Sequence, residues 1–494
     1  MKTLLALLMI IGTLGAFAQP RVIWGGSRSP NSVSVAGRLP ATLSETNLLW
    51  EVRLGTHQYA IPTIAGDSVY LAINDANFTR TGARASGGGL VVCLDLQTGR
   101  RNWTFISPRL MEGTRPPYYF DQWGCGICSG PVVDGDRLYV VGNRGDILCL
   151  DRQGQRNGND GPFLDDAAYM QLAEETALTE EDGDLIWRFD MLKVCAIAPH
   201  DVCGSTILKV DNLLFICTSN GANNQHIEPQ RPDAPTLIVL DARTGTLVAQ
   251  DDAKIGHRIF HGNWCSPAYA EVAGRKMIFF GGGDGFLYAF DFPTPQPGRV
   301  QMLQTAWVAD CNPAHYREKN GEKIPYATWR NKQPFGPCEP LGTPVIEDGR
   351  VYVAIGQSPV HGTGDGCLNC FDAATGKVLW RNETIRRSLA TVALADSTVY
   401  LPDSAGMLHA CDAKNGAILW SAELSAPAYY ANAFVADGKV YASTERGDFW
   451  VFKAGRQNEV LFKTKLPSPP ITVTATEGVL LIPMQNRLRA YSGK

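Results

Sequence analysis

Beyond its first twenty residues, the chain of 494 has no run of eighteen or more apolar residues. A membrane-spanning helix needs about 20, so the sequence offers none. It is also poor in charge. Asp, Glu, Lys and Arg make up 19% of it, with a formal net charge of −4. A nucleic-acid surface needs a basic stripe, and this composition supplies none. There is no C-x-x-C-H, so covalent c-type haem is not indicated. No two cysteines are adjacent. The Asn/Asp cluster NGNDGPFLDD at 157–166 lacks the ligand spacing of an EF-hand, so it reads as a solvated loop rather than a calcium site.

What is present points to turns. The chain has 50 Gly and 30 Pro, and one phrase returns along it: CLDLQTGRRNW at 93–103, CFDAATGKVLW at 370–380, CDAKNGAILW at 411–420. Alternating apolar residues form a strand. Asp bonds backbone two residues on, and Gly accepts positive φ, so Asp-x-x-x-Gly is a tight turn. A second strand follows, anchored by Trp. Upstream of each hairpin a second one recurs, as in PVVDGDRLY at 131–139 and PVIEDGRVY at 344–352. Two hairpins make one four-stranded antiparallel unit, and strand-only repeats of about 40–50 residues imply a propeller or solenoid. The units cluster around Asp95, Asp151, Asp241, Asp291, Asp372 and Asp412, with a degenerate seventh carrying Phe462 in place of Trp. The last strands lack an outer partner, and LLWEVRL with Trp50 fits that gap. The fold expected is all-β: an eight-bladed β-propeller of four-stranded antiparallel blades, closed by an N-terminal strand that removes an exposed sheet edge.

The domain plan follows. Residues 1–18 read as an export signal: one Lys, an apolar core from Leu4 to Ile11, and Ala16-Phe17-Ala18 before the cut. No cysteine follows it to carry a lipid anchor. Residues 19–45 form an N-terminal extension and 46–494 the propeller, with insertions at 152–186 and 309–341. Within the first insertion, AAYMQLAEETALTEEDGD reads as a short acidic surface helix. Long loops on a rigid ring are where binding resides. The mature protein is expected in the periplasm or outside the cell.

Thirteen cysteines are sorted by the repeat. Cys93, Cys149 and Cys370 stand two before the hairpin Asp, where Val239 and Ala289 also stand, so they read as small core residues. This sets aside Cys367-x-x-Cys370 as a metal pair, and Cys411 is off register. Cys125, Cys128, Cys203, Cys265 and Cys338 precede innermost strands and converge at one mouth of the channel. Two outcomes are open there: disulfides, with Cys125–Cys128, Cys195–Cys203 and Cys311–Cys338 as pairs, or a thiolate metal site from Cys125, Cys128, Cys203 and Cys265.

The same leading loops carry a ring of polar and aromatic residues. Blade by blade it reads His57-Gln58-Tyr59, Asp121-Gln122-Trp123, His200-Asp201, His261-Gly262-Asn263-Trp264, Glu339, Arg386-Arg387 and Tyr429-Tyr430-Ala431-Asn432. Convergent polar groups with aromatics at a channel mouth make a ligand site. His200, Asp201 and His261 are the candidates for acid–base or metal chemistry. The alternative role for each is to close hydrogen bonds between blades.

The phrase D-A-x-T-G-x-x-x-W resembles the repeat of pyrroloquinoline quinone (PQQ)-like propellers, found in quinoprotein dehydrogenases and outer-membrane assembly propellers. The stretches WGGSRSPNSVS, GICSGPVVDGDRLYVVGNRGDILCLD, HGNWCSPAY, GGGDGFLYAFD and AIGQSPVHGTGDG resemble an exported bacterial family of such propellers, over residues 22–494. The resemblance implies the scaffold. Quinoprotein enzymes add a calcium held by Glu and Asn, an Asp base, a Trp floor and two adjacent cysteines over the quinone; this chain lacks the adjacent pair, its Cys125 and Cys128 being separated. The expected function is a non-catalytic cell-envelope propeller, a monomer that binds a small molecule or an envelope protein at the mouth. The alternative is an oxidoreductase that uses PQQ with calcium, or a metal, on an alcohol or sugar.

Overall fold

The repeated phrase has a physical reason in three dimensions. Asp95 Oδ1 accepts from the backbone N–H of Gln97 and Thr98 and from the Thr98 hydroxyl, at 2.7–3.1 Å. Asp372 does the same with Thr375. The Gly that follows turns the chain: Gly376 has φ +71°, and a Cβ there would lie 2.5 Å from the Trp307 ring of the preceding blade. Gly416 is likewise covered by Trp380. Each Trp also donates its indole N–H to a carbonyl in the hairpin turn of the next blade. Trp50 reaches Leu96, Trp103 Arg152, Trp187 Ala242, Trp307 Ala373, Trp380 Ala413 and Trp420 Gly455, at 2.8–3.3 Å. The phrase is a latch between blades.

The computed structural model describes residues 31–83, 85–110, 123–429 and 431–493. Eight four-stranded antiparallel sheets follow in order, at 63–107, 132–190, 208–250, 268–310, 345–382, 393–423 and 434–465, with the eighth formed by 474–492 and Leu48–Arg53. This is the all-β eight-bladed propeller read from the repeats. Leu48–Arg53 pairs antiparallel with Arg487–Ser492, as the closure argument required. Residues 1–18, read as an export signal, lie outside the described residues. Among the described residues no helix is long and apolar enough to cross a membrane.

Neighbouring blades pack face to face. Tyr70, Trp103 and Phe105 of the first blade share a buried cluster with Leu138 and Leu148 of the second. Cys93, Cys149 and Cys370 stand across from Trp103, Trp187 and Trp380 in the strand register, where a small side chain leaves room for the indole.

Two expectations differ from the structure. No disulfide joins any of the thirteen cysteines, and all are buried. The expected pairs Cys125–Cys128, Cys195–Cys203 and Cys311–Cys338 are not bridged in this structure; Cys195 and Cys203 pack in one buried apolar cluster and Cys311 and Cys338 in another. The acidic stretch is no surface helix. Only Asp166–Tyr169 is helical, because Tyr169 and Met170 are buried against the first blade, Tyr169 stacking on Phe105 at 5.3 Å. Asp182 of the same insertion pairs with Arg80. The interruption of the fourth blade also reaches sideways: Gln301–Met302 adds a parallel strand to the third blade.

The strand order decides what shares a face. In an antiparallel blade, the loop leading into the innermost strand and the loop between strands two and three open on the same side. The blades therefore offer two sets of loops to one mouth.

Candidate functional site

At that mouth the third, fourth and fifth blades bring four histidines together. His200 leads into the third blade and His261 into the fourth. His226 comes from the loop between the second and third strands of the third blade, and His361 from the equivalent loop of the fifth. Ring centroids lie 4.2 Å apart for His200–His261 and His226–His261, 4.9 Å for His200–His226, 5.0 Å for His226–His361 and 5.1 Å for His261–His361. The ligand nitrogens of His200, His226 and His261 all lie within 4.8 Å of one another.

Contacts from Asn263, Ala222, Gly221 and Arg387 hold these loops. Asn263 donates to Asn220 O at 2.7 Å and accepts from Gly283 N at 2.7 Å. Ala222 N donates to His261 O at 2.7 Å. Gly221 passes so close that a Cβ would meet His200 Cβ at 2.5 Å and His261 O at 2.8 Å. His226 itself sits at φ +60°, a left-handed conformation that a bulky residue rarely takes and that clusters at functional sites. The buried Arg387 clamps the fifth-blade loop, donating to His361 O, Gly362 O and Gln333 O at 2.7–3.3 Å.

The insertion at 309–341 supplies the roof. Tyr326 stacks on Phe260 at 5.0 Å, lies 5.4 Å from the His361 ring, and donates to Glu339 Oε1 at 2.7 Å. Glu339 Oε1 is 3.7 Å from His261 Nδ1. His200, His261, His361 and Glu339 are all 0% exposed.

Burial sets the charge state. Desolvation, with help from His200, lowers His226 to about 4. Desolvation, His226 and Arg387 lower His361 to about 3. Desolvation and the neighbouring rings hold His261 well below its ordinary value. Desolvation pushes Glu339 and the Tyr326 phenol well up. At neutral pH these three imidazoles are free bases, the form that binds metals. His200 Nε2, both nitrogens of His261 and His361 Nδ1 are buried with no hydrogen-bond partner. Buried polar atoms are nearly always satisfied, so a cluster of bare nitrogens is a candidate ion or ligand position.

The other residues of the polar ring divide. Trp264 belongs to the cluster, 4.9 Å from the His261 ring and donating to His200 O at 3.3 Å. Asp201 Oδ2 lies 3.6 Å from His200 Nε2. Asn263 and Arg387 brace the loops, as above. Asn432 ties blades instead, accepting from Thr391 N and donating from its own N to Thr472 Oγ1. The exposed Arg386 pairs with Asp365. Tyr59 stands beside His57 in the first blade, and Trp123, 70% exposed, leads the second. Tyr430, Asp121 and Gln122 lie outside the described residues. His226 and His361 were absent from the sequence reading; the signal available was the length of their loops, which replace tight turns.

The thiolate metal set is not what the structure assembles. Among the described residues no cysteine joins a metal-sized group with two other ligands. Cys265 is instead a core thiol whose Sγ accepts from Gly281 N at 3.3 Å, and burial raises it far above the thiolate range. Within the first insertion, Asp151, Asp160 and Asp184 bring carboxylates within 4.8 Å. Chain groups already occupy them: Asp160 N donates to Asp184 and Gln153 N to Asp151.

A flat tricyclic quinone does not fit at the histidines. Their rings touch edge to face at van der Waals range, four of the lining residues are 0% exposed, and no cysteine pair is adjacent.

Comparison with known proteins gives the fold's company. Residues 327–490 match the family described as Outer membrane protein assembly factor BamB. BamB from Moraxella catarrhalis superposes with a TM-score of 0.54 over 90% of this chain and 97% of that one, at 14% identity. A europium-containing methanol dehydrogenase gives 0.62 over 96% and 98%, at 11% identity. The computationally designed Ika8 protein gives 0.50 over 90% and 99%, at 11%. At these identities the likeness is one of fold. No curated protein matches the chain significantly.

Proposed function

We propose that this eight-bladed β-propeller is an exported, PQQ-like cell-envelope protein that holds one transition-metal ion in the histidine cluster at its mouth. One observation carries the reading: buried imidazoles from separate loops face one point with unpartnered nitrogens. Imidazole nitrogen suits zinc, copper, nickel or iron and not calcium or magnesium. Metal–nitrogen bonds of about 2.0–2.1 Å put two ligands of a tetrahedral ion about 3.3 Å apart, a small closure from the present spread.

The surroundings are those a metal centre uses. The carbonyl of Ala222 accepts from His200 Nδ1 at 2.8 Å, and His361 Nε2 lies 2.8 Å from His226 Nδ1. Such outer partners fix the tautomer and aim the other nitrogen at the ion. Export to the periplasm agrees with the reading of residues 1–18, and a protein partner in the envelope agrees with the family matched by the C-terminal third.

The test is metal content. Full-length protein is recovered from the periplasmic fraction, stripped with chelator and titrated with Zn(II) or Cu(II). One ion per chain is expected, with most uptake lost in His200→Ala and His261→Ala while the circular dichroism spectrum is kept. Wild-type protein that takes up no ion above a surface-histidine background would sink the proposal. Retention in the cytoplasm would sink the export part alone.

A further inference from the structure

We propose that the metal centre binds its ion through three histidines, His200, His226 and His261, and keeps a fourth position open for a small anion or water. The inference rests on the metal reading of this site and adds what else the ion binds.

The argument comes from the Nδ1 atoms. Two of the three have a partner: Ala222 O for His200 at 2.8 Å and His361 Nε2 for His226 at 2.8 Å. With those two Nδ1 atoms occupied by a carbonyl and a ring nitrogen, Nε2 is the atom left for the ion, and partners of this kind are what metal-bound histidines have. His261 keeps both ring nitrogens without a hydrogen bond, its Nδ1 3.7 Å from Glu339 Oε1, so either nitrogen is available to the ion. His361 thus falls on the outer shell. Its Nε2 stands at hydrogen-bond distance from His226 Nδ1, closer than the about 3.3 Å that separates two ligands on one tetrahedral ion. His361 is a positioning residue for His226. The third and fourth blades thus supply the ligands, and the fifth supplies His361, which aims one of them.

Three nitrogens leave a tetrahedral ion one bond short, the arrangement of centres that exchange a ligand. Exposure says where the gap faces. His261, His200, His361 and Glu339 are fully buried, while His226, Trp264 and Asp201 are half-buried, so solvent reaches the cluster from that side. Neutral imidazoles do not cancel the charge of a divalent ion, so an anion is favoured in the gap. Asp201, with Oδ2 3.6 Å from His200 Nε2, stands at its rim and is the one side chain here that competes for it.

The experiment uses full-length protein loaded with Cu(II). Pulsed EPR counts the coordinated imidazoles, and azide titration is followed by its charge-transfer absorption. Three imidazoles and a saturable azide band are expected. His361→Ala is expected to keep one ion and three imidazoles with about 10–100-fold weaker uptake, and His361→Gln, which can still hydrogen-bond His226, to recover part of it. His226→Ala is expected to lose an imidazole. Four imidazoles in the wild type overturn the proposal. So does an azide-silent wild type whose Asp201→Ala variant responds, because the carboxylate then fills the gap. An ion held with a saturated shell sinks this inference alone; no ion at all sinks the metal reading with it.

Discussion

At the scale of single residues, the site depends on small groups as much as on its histidines. Gly221 is the clearest. Its Cα passes between His200 and His261, and an added methyl would press on His200 Cβ at 2.5 Å. Gly221→Ala is expected to push His200 out of line and to weaken metal uptake at least about tenfold, or about 1.4 kcal/mol, while the propeller still folds. Isothermal titration with Zn(II) measures the first and circular dichroism the second; unchanged affinity would show that the His200 loop is not fixed by this contact. Asp184 makes a second residue-scale case. Burial, then the neighbouring Asp166 and Asp151, raise its carboxyl to about 7. The folded form therefore binds the proton more tightly than the unfolded chain, whose Asp titrates near 3.9. The stabilisation is complete below that value and is lost as pH rises through about 7. Asp184→Asn is expected to flatten the decline in urea midpoint between pH 5 and 8 (a window spanning about two units below to one above the raised value). An equal slope in both proteins would place the pH dependence elsewhere.

At the scale of the element, the latch between blades is the unit of stability. Trp307 covers Gly376 and donates to Ala373 O, all within one hairpin of the next blade. Trp307→Ala removes a buried aromatic and leaves that carbonyl without its donor, for an expected loss of about 3–5 kcal/mol. Gly376→Ala adds strain at positive φ and a clash with the indole, and is expected to cost more than about 1 kcal/mol. Urea unfolding at unchanged m-value checks both. The latch also explains what was legible in the sequence. Asp, Gly and Trp are each demanded by a specific contact, so the phrase recurs where the contact recurs, and six of the eight blades could be located from it. Where packing substitutes for the latch, as at Ala249 and Phe462, the phrase decays and the count rests on strand alternation. The site was half legible for a related reason. His200, Asp201, His261, Trp264 and Glu339 lie just ahead of innermost strands, which the repeat locates. His226 and His361 lie in loops with no repeat, 218–236 and 356–366, and nothing local in those stretches announces a ligand. The cysteines misled because position two before the hairpin Asp was recognised as core, but the leading-loop thiols, equally buried, were read as reactive.

At the scale of the whole molecule, the ring is a closed chain of such latches, and its closure lies at the two ends of the sequence. Leu48–Arg53 completes the eighth blade by pairing with Arg487–Ser492. Trp50 then latches that blade to the first, through Leu96 O at 2.9 Å. Glu51 is held between Arg487 and Arg489, at 3.2 and 2.6 Å, across the same seam. The extension before this strand also crosses to other blades, Val33 bridging to Val435 and Tyr441 donating to Pro40 O. Removing residues through 53 would strip all of these contacts at once. It would leave Arg487–Ser492 as an open edge and the first blade without its latch. An open antiparallel edge pairs with whatever strand it meets. The truncated chain is therefore expected to form oligomers or aggregates and to melt well below the full-length protein. Trp50→Ala, which keeps the strand but not the latch, should remain monomeric with a smaller drop. Size-exclusion chromatography with light scattering separates the two effects. The histidine cluster adds a control, because its blades lie away from the seam. If the ring is a cooperative whole, the truncated chain loses metal uptake together with its thermal transition; uptake that survived in a monomeric truncation would mean that blades three to five hold their geometry without closure.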